Sequence, residues 1–417
     1  MKDNHTAAEW IYRPRYLAEP LRRAVGVHPV VVLTGARQVG KSTLLREEQP
    51  FRQWRYITLD DMDQLDQARR DPAALWAGAD AVVIDEVQRA PRILSEVKRR
   101  VDERRRQVRF VLSGSANLLM MSQVSESLAG RVAILSLLPM TPREEAGLPR
   151  LDVLARLLKG EVEFDPEPQA RAGALADRLI RGQVPPVLDL PDLDSAIQWW
   201  DGFVSTYLER DLRQLSQVES LPDYRRVMRA LALRSGQMVN QTEVARDVGV
   251  SQATVHRYLG LLETTMVLTR LPAFAVNRTK RLIKTPKVYW TDPGMASFLA
   301  GHHQPAALRA SREMGGLFET LVLLGLRSAA EMLTPRAVVH YWRTTSGKEV
   351  DFVLEHGRSL LALEIKLTDR PRHSDLAGLR IFLDEYPECQ AGVLVHTGRQ
   401  SYRMDDKIIA VPWWSLI

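Results

Sequence analysis

The sequence predicts an α/β multidomain fold: a parallel-sheet core, a helical segment, a helix-turn-helix and a second α/β unit. Three observations lead to it. Short uninterrupted apolar runs alternate with helical stretches through the first third of the chain, which implies parallel strands covered on both faces. Residues 239–268 have the rhythm of two short helices joined at a glycine. Residues 338–366 set carboxylates on strand-like runs separated by tight turns.

The expected core strands are "VVVLT" (30–34), "WRYITL" (54–59), "AVVID" (81–85), "VRFVL" (108–112) and "VAILSL" (132–137). Around "LPMTPREEAGLPR" the pattern changes. Residues 150–235 read as helical, with amphipathic segments near 151–159, 170–181 and 195–215, and the polar "EVEFDPEPQ" (161–169) reads as a linker. From 236 to 300 come short helices and a basic, strand-like ribbon. The last part predicts a helix at 313–328, strands at 338–343, 349–354 and 360–366, a helix near 372–385 and a strand at 391–396. The expected division is a core over 1–145, a helical lid and linker over 146–235, a winged helix-turn-helix over 236–300 and an α/β unit over 301–417.

At 417 residues the chain is long enough for roughly two to four domains. With 45% hydrophobic and 26% charged residues, and no apolar run long enough to span a bilayer, no membrane segment is expected. The start "MKDNHTAAEW" lacks the apolar stretch of a secretory signal. The single cysteine, Cys389, allows no internal disulfide and no cysteine metal cluster. A cytoplasmic location is the expectation. Of the net charge of +6, residues 201–300 carry 14 Lys or Arg against 9 Asp or Glu, a balance of 14 − 9 = +5. Such a local excess suits a polyanion, and a solvated surface explains it as well.

Gly35, Ala36, Arg37, Gln38, Val39, Gly40, Lys41 and Ser42 match G-x-x-x-x-G-K-S, between an apolar strand and a helix, with Thr43 next. Glycines let the backbone wrap phosphates, the helix N-terminus faces their charge, and Lys41 reaches the outer phosphates. Ser42 is the expected Mg²⁺ ligand, so ATP and Mg²⁺ are the expected ligands of this loop. Asp85 and Glu86 end the third apolar run, where an open parallel sheet places ligand groups. Asp85 is expected to hold Mg²⁺ through water and Glu86 to orient or activate the attacking water; a helix N-cap is the structural alternative. Ser113 or Ser115, after the fourth strand, is placed to sense the γ-phosphate. Arg131, just before the fifth strand, is placed to reach a neighbouring subunit's nucleotide, or else simply caps a helix C-terminus.

With "TGARQVGKST", "VVIDEVQRAP", "VLSGSANLL", "ESLAGR" and "LPMTPREE" in this order, the chain resembles the bacterial and archaeal AAA-type (AAA+) P-loop ATPases. These carry a C-terminal region of formerly unknown function. The resemblance implies an AAA+ core, ATP hydrolysis and self-association into an oligomer, a hexamer being one form it allows. Where the family tends to have Gly-Gly-aromatic-Pro after the lid helices, this chain has Gly182, Gln183, Val184 and Pro185.

In "VNQTEVARDVGVSQATVHRYLGLLETTMVL" (239–268), Val244, Ala245, Val248, Val250, Val255 and Leu259 are expected to face inward, with Gly249 at the turn. The second helix begins near Ser251 and presents Ser251, Gln252, Thr254, His256 and Arg257 outward. "FAVNRTKRLIKTPKVYW" then reads as a two-stranded ribbon bearing Arg278, Lys280, Arg281, Lys284 and Lys287. A helix-turn-helix followed by a basic hairpin is a winged helix, for which DNA is the favoured partner and protein contact the alternative. His256 has no histidine or cysteine at ligand spacing and reads as a surface position.

Period-two alternation puts Glu364 and Lys366 on one strand face, beside Asp351 on the preceding strand, with Glu319 on the helix before them. Two carboxylates and an ammonium suit Mg²⁺ binding and water activation for phosphodiester cleavage. Residues 313–397 therefore resemble the restriction-endonuclease-like PD-(D/E)XK fold, with D-x12-E-x-K as Asp351, Glu364 and Lys366. The same residues also read as a salt-bridged surface, and the scaffold can bind DNA without cutting it. "VKRRVDERRRQVR" (97–109) reads as the solvated face of a helix. The function expected is a Mg²⁺-dependent, DNA-binding ATPase, an oligomeric motor or remodeller of branched or single-stranded DNA in repair, recombination or defence. The alternatives are an ATP-regulated nuclease and a nucleotide-controlled switch or transcriptional regulator.

Overall fold

The computed structural model describes residues 11–104, 107–114, 128–161, 174–214, 220–277, 281 and 284–417, with side chains throughout except at 207–214. The first sheet uses β1 (Val30–Thr34), β2 (Arg55–Thr58), β3 (Ala81–Asp85), β4 (Arg109–Ser113) and β5 (Val132–Ser136). They lie in the order β2-β3-β4-β1-β5, every pair parallel. Except for the half-buried Val132 and Ile134 of the edge strand β5, their Val, Ile and Leu side chains are buried on both faces, which is why these runs are uninterruptedly apolar rather than alternating. Parallel pairing brings the carboxyl ends of β1, β3 and β4 to one edge of the sheet.

Helices Leu175–Arg181 and Leu193–Gln214 lead into a smaller unit, in which helices Leu221–Ala232, Gln241–Val248 and Gln252–Thr264 surround a three-stranded sheet. Its strands are β6 (Gln237–Met238), β7 (Leu268–Leu271) and β8 (Lys287–Trp290), in the antiparallel order β6-β8-β7. Side-chain caps start all three helices: Ser220, Asn240 and Ser251 each accept a backbone N–H from the first turn. Gly249, at φ 72°, supplies the left-handed turn between the last two. Val244, Ala245, Val248, Val255 and Leu259 are buried, while Val250 is half-buried.

The expected ribbon within 274–290 is corrected. Only β8 of the described residues there is a strand, and its partners are β7 and β6. The intervening chain is drawn to the next unit instead: the Phe274 N–H donates to Tyr341 O at 2.6 Å and the Tyr341 N–H to Pro272 O at 3.1 Å. The physical reason is Phe274, buried at 5.3 Å from the Tyr386 ring and 5.8 Å from Phe382.

The third sheet comprises β9 (Val338–Arg343), β10 (Glu349–His356), β11 (Ser359–Lys366), β12 (Cys389–His396), β13 (Tyr402–Asp405) and β14 (Ile408–Pro412). The order is β13-β14-β12-β11-β10-β9, with β11, β12 and β14 parallel. Strands β13 and β14 were not expected from the sequence. Helix Glu313–Met332 packs on the face carrying Phe352, Leu354, Leu361 and Leu363, whereas helix Ala377–Glu385 packs on that of Val353, Leu360, Ala362 and Leu394. One continuous apolar core joins the first sheet, the middle unit and the first of these faces. Among the described residues no helix is long and apolar enough to cross a membrane.

Candidate functional site

The loop after β1 is shaped by backbone that most residues avoid. Gln38 and Gly40 are left-handed, at φ 63° and 94°, the kind of turn that builds an anion-binding concavity. A Cβ on Gly35 would lie 2.4 Å from Leu137 O, so only glycine fits there. Lys41, the first residue of helix Lys41–Glu47, is buried and its Nζ donates to Gly35 O at 3.0 Å and Ala36 O at 2.9 Å. Arg15 fastens the loop from outside: one guanidinium nitrogen donates to Val39 O and another to Leu138 O, each at 2.7 Å, while Nε meets Glu144 Oε1 at 3.2 Å.

Asp85 closes β3, buried, accepting the Tyr56 hydroxyl at 2.6 Å and the Glu86 N–H at 3.1 Å. Glu86 is left-handed at φ 57°, which turns the chain away from the sheet directly after the strand. Its carboxyl is pushed above the usual range by burial and then by Asp85, while Lys41 and an N–H···O bond from Gln88 oppose the shift. Ser113 ends β4 opposite Leu33 of β1; it is fully buried and its Oγ has no partner among the described residues. Arg37, Gln38, Gly40, Lys41, Ser42, Thr43 and Glu86 face one polar cleft of about 590 Å³, rimmed by an Asp60–Arg89 ion pair at 2.6 Å. The predicted loop and Glu86 thus meet around one opening, with Asp85 buried behind it. Val39 and Ala36 point into the core instead, and Ser115 lies outside the described residues.

On the other side of the loop, Tyr12, Arg13, Met140, Pro185 and Asp189 meet Gly40 and Thr43 in a second hollow. This gives "RGQVPP" a position. The Met140 N–H donates to Gln183 O at 2.9 Å and the Gln183 N–H to Asp292 Oδ2 at 2.8 Å, so the backbone of one residue ties the first unit to the middle one. Gly182 is left-handed at φ 89°, and a Cβ there would lie 2.5 Å from Asp292 Oδ1. Burial pushes the Asp292 carboxyl up to about 6, against the backbone N–H groups that it accepts.

Arg131 sits before β5, whose first residue pairs with Val30 at the opposite end of β1 from the loop. It forms an ion pair with Asp102, Nε to Oδ1 at 2.7 Å, with its side chain about one-third exposed. A five-residue strand separates it from its own loop by about 16 Å.

In the middle unit Ser251, Gln252 and His256 are exposed, Thr254 and Arg257 half-buried, and Lys284 exposed. Arg278 and Lys280 lie outside the described residues. Two of the expected nucleic-acid contacts are corrected. Arg281 bonds Glu355 at 2.6 Å and lies over the Phe274 ring at 4.6 Å, so its charge is engaged inside the protein. Lys287 is 4% exposed and points into the C-terminal carboxylates rather than toward solvent.

Those carboxylates do gather. Asp351 on β10 accepts the Ile365 N–H at 2.8 Å, and Lys366 bonds Glu364 Oε1 at 2.6 Å. Glu319 accepts the Tyr289 hydroxyl at 2.8 Å. Burial pushes Asp351, Glu319 and Glu364 upward, the Asp351 charge adding to it for the latter two. Burial also pulls Lys287 down, but Glu319, Asp351 and Glu349 together hold its ammonium well above the usual range. Among the described residues no three His, Cys, Asp or Glu side chains form a group able to hold a metal ion. Sequence reasoning missed Arg15, Gln88, Tyr289, Asp292 and Glu349. For Glu349 a signal existed, since it lies two residues before Asp351 on the same strand.

Comparison with known proteins matches three successive segments of the chain. Residues 27–145 match the family described as "AAA domain", 172–306 the domain of unknown function DUF8612, and 314–416 the domain of unknown function DUF4143. Uncharacterized proteins of Mycobacterium tuberculosis and Mycobacterium bovis are each 32% identical over 404 residues, covering 95% of this chain and 83% of theirs. Among solved structures, a STAND-type signal-transduction ATPase of Pyrococcus horikoshii with a tetratricopeptide-repeat sensor aligns at 11% identity and TM-score 0.24. The alignment covers 77% of this chain and 46% of that one. The chain belongs to the AAA-type P-loop ATPase family that joins an N-terminal AAA domain to a C-terminal DUF4143 region.

Proposed function

We propose that this chain is a Mg²⁺-dependent ATPase whose turnover is coupled to DNA. The observation that carries this reading is the convergence of Lys41, Ser42 and Glu86 on one polar cleft, with Asp85 and the Ser113 hydroxyl, unpartnered among the described residues, ending the strands beside it. Phosphates lie on the loop amides from Gly35 to Thr43 and against the helix N-terminus. Lys41 exchanges the Gly35 and Ala36 carbonyls for phosphate oxygens. Ser42 and Asp85 fit a Mg²⁺ ion, which neutralises charge on the phosphates when bound. Glu86 orients the attacking water and accepts its proton, and the Ser113 hydroxyl donates to the γ-phosphate. The nucleoside is assigned to the side of the loop where Tyr12, Met140 and Pro185 adjoin Gly40 and Thr43. Arg131 cannot reach its own loop, so it serves a neighbour, and the active form is an oligomer.

The order helix, β6, two helices, β7, β8 supports reading residues 221–290 as a winged helix. Its proposed DNA contacts among the described residues are Ser251, Gln252, Thr254, Arg257 and Lys284. A separate groove at the same unit mixes Arg226, Arg229, Arg234 and Arg312 with Glu243 and Asp247, and Arg226, Arg234 and Arg312 are ion-paired there, so it adds little to the reading. The strand and helix order of 313–397 supports a restriction-endonuclease-like unit. The deciding experiment measures ATP hydrolysis with single-stranded, duplex and four-way DNA. Stimulation by at least one, lost at high salt, is expected; a rate indifferent to all three excludes the coupling to DNA. Glu86→Gln should bind ATP and not turn it over.

A further inference from the structure

Restriction-endonuclease-like sites work through a divalent ion held by carboxylate oxygens, and such ions take about six oxygen ligands. The carboxylates of the C-terminal sheet do not fit such an ion as they stand. In their midst lies the ammonium of Lys287, in contact with Glu349, 3.7 Å from Asp351 Oδ1 and 3.8 Å from Glu319 Oε2. An ammonium carries three N–H donors, and three carboxylates surround this one.

The lysine arrives from another unit. It is the first residue of β8, held in register opposite Met238 and Leu271 by the pairing of β8 with β6 and β7. Two residues along, Tyr289 donates to Glu319 at 2.8 Å, so one strand supplies both contacts. The middle unit is pressed tightly onto the helix that bears Glu319. A Cβ on Gly316 would lie 2.2 Å from Ser235 O, and one on Gly236 would lie 3.2 Å from Glu319 Oε2. Glu364 Oε2 is buried and has no partner among the described residues, although Lys366 bonds the other oxygen of that carboxylate. The site is therefore filled by an ammonium beside Asp351 and Glu319 and left with a Glu364 oxygen that no described residue uses.

We propose that Lys287 is a resident cation that keeps the nuclease-like site closed to divalent metal, so that the site takes a metal only after β8 withdraws its lysine. The proposal rests on the restriction-endonuclease-like reading of residues 313–397. It assigns that unit a closed state, in which the middle unit's third strand occupies the metal position. The same contact ties the two units together, so anything that moves the middle unit, nucleic acid included, acts on the site.

The test is Mn²⁺ binding to the full chain without nucleotide, followed by electron paramagnetic resonance. In the wild type, no tight Mn²⁺ that Asp351→Asn abolishes is expected. Lys287→Met should gain one Mn²⁺ per chain, and adding Asp351→Asn should remove it. Lys287→Gln, which keeps a hydrogen-bond donor toward Glu349, is the second variant in case methionine impairs folding, and its melting temperature is followed in parallel. A wild-type protein that already binds a Mn²⁺ lost in Asp351→Asn overturns the closed state and leaves the nuclease-like reading standing. Folded Lys287 variants that bind no Mn²⁺ overturn both.

Discussion

Both ends of this chain set acidic side chains at the ends of buried strands beside a buried lysine, and the two lysines differ in what holds them. Lys41 is 7% exposed and donates to two neutral carbonyls of its own loop. Lys287 is 4% exposed and its partners are carboxylates of another unit. A carbonyl bond is exchanged for a phosphate oxygen with little penalty, because the ammonium gains a full negative charge. A lysine surrounded by carboxylates has no such gain to make, and removing it leaves buried negative charge uncompensated. Residue types are alike in the two sites, a buried lysine beside carboxylates, although Lys41 opens a helix and Lys287 a strand. The source of the cation separates a site open to a ligand from one that the protein fills itself.

The largest effects should come from exchanging each lysine in turn. Lys41→Ala is expected to abolish ATP binding and turnover while leaving the melting temperature within a few degrees, because it donates to carbonyls that water can serve. Lys287→Ala is expected to leave ATP affinity unchanged and to destabilise the fold by about 3–5 kcal/mol, the range for breaking one side of a buried ion pair. Calorimetry for binding and thermal unfolding for stability check both. Equal effects of the two substitutions on stability would break the contrast.

A smaller effect tests where the open site finds its remaining positive charge. Arg131→Ala should lower turnover on the order of 10³-fold, as expected for an arginine supplied in trans, with ATP affinity kept. Mixing Arg131→Ala protein with Glu86→Gln protein should then restore part of the rate, because each subunit lends what the other lacks. A mixture no faster than its components would place Arg131 in the ion pair with Asp102 and nowhere else.

The fold was legible where local pattern and tertiary environment agree. Val30–Thr34 and Ala81–Asp85 are apolar throughout because both faces are covered, and their ends were read to the residue. The loop from Gly35 to Ser42 was legible because its chemistry is contiguous in the sequence. Lys287 was misassigned because a basic residue in a basic stretch reads as solvated, whereas its burial depends on carboxylates about 30 to 60 residues away that the stretch itself does not show. The ribbon failed for a related reason: Phe274 finds a better apolar site against Phe382 and Tyr386 than a hairpin would offer. Arg15 was missed because its partners, Val39, Leu138 and Glu144, are distant in sequence.

The finest contrast concerns the carboxylates themselves. Glu86 is raised by burial and by Asp85, as Glu364 is by burial and by Asp351, and a lysine opposes each shift, Lys41 at the first site and Lys366 at the second; the side-chain hydrogen bond comes from the neutral amide of Gln88 at the first site and from Lys366 itself at the second. A neutral amide favours the ionised form of Glu86 without neutralising it, so Glu86 remains able to accept a proton from water. Gln88→Ala removes that bond, and the Glu86 carboxyl should rise further. Because the group acts as a base only when ionised, the acid limb of the turnover profile should move to higher pH, while the rate on the alkaline plateau falls less than about tenfold. A shift of the limb to lower pH, or none with an equal loss of rate at every pH, would show that Gln88 acts on the position of Glu86 and not on its proton.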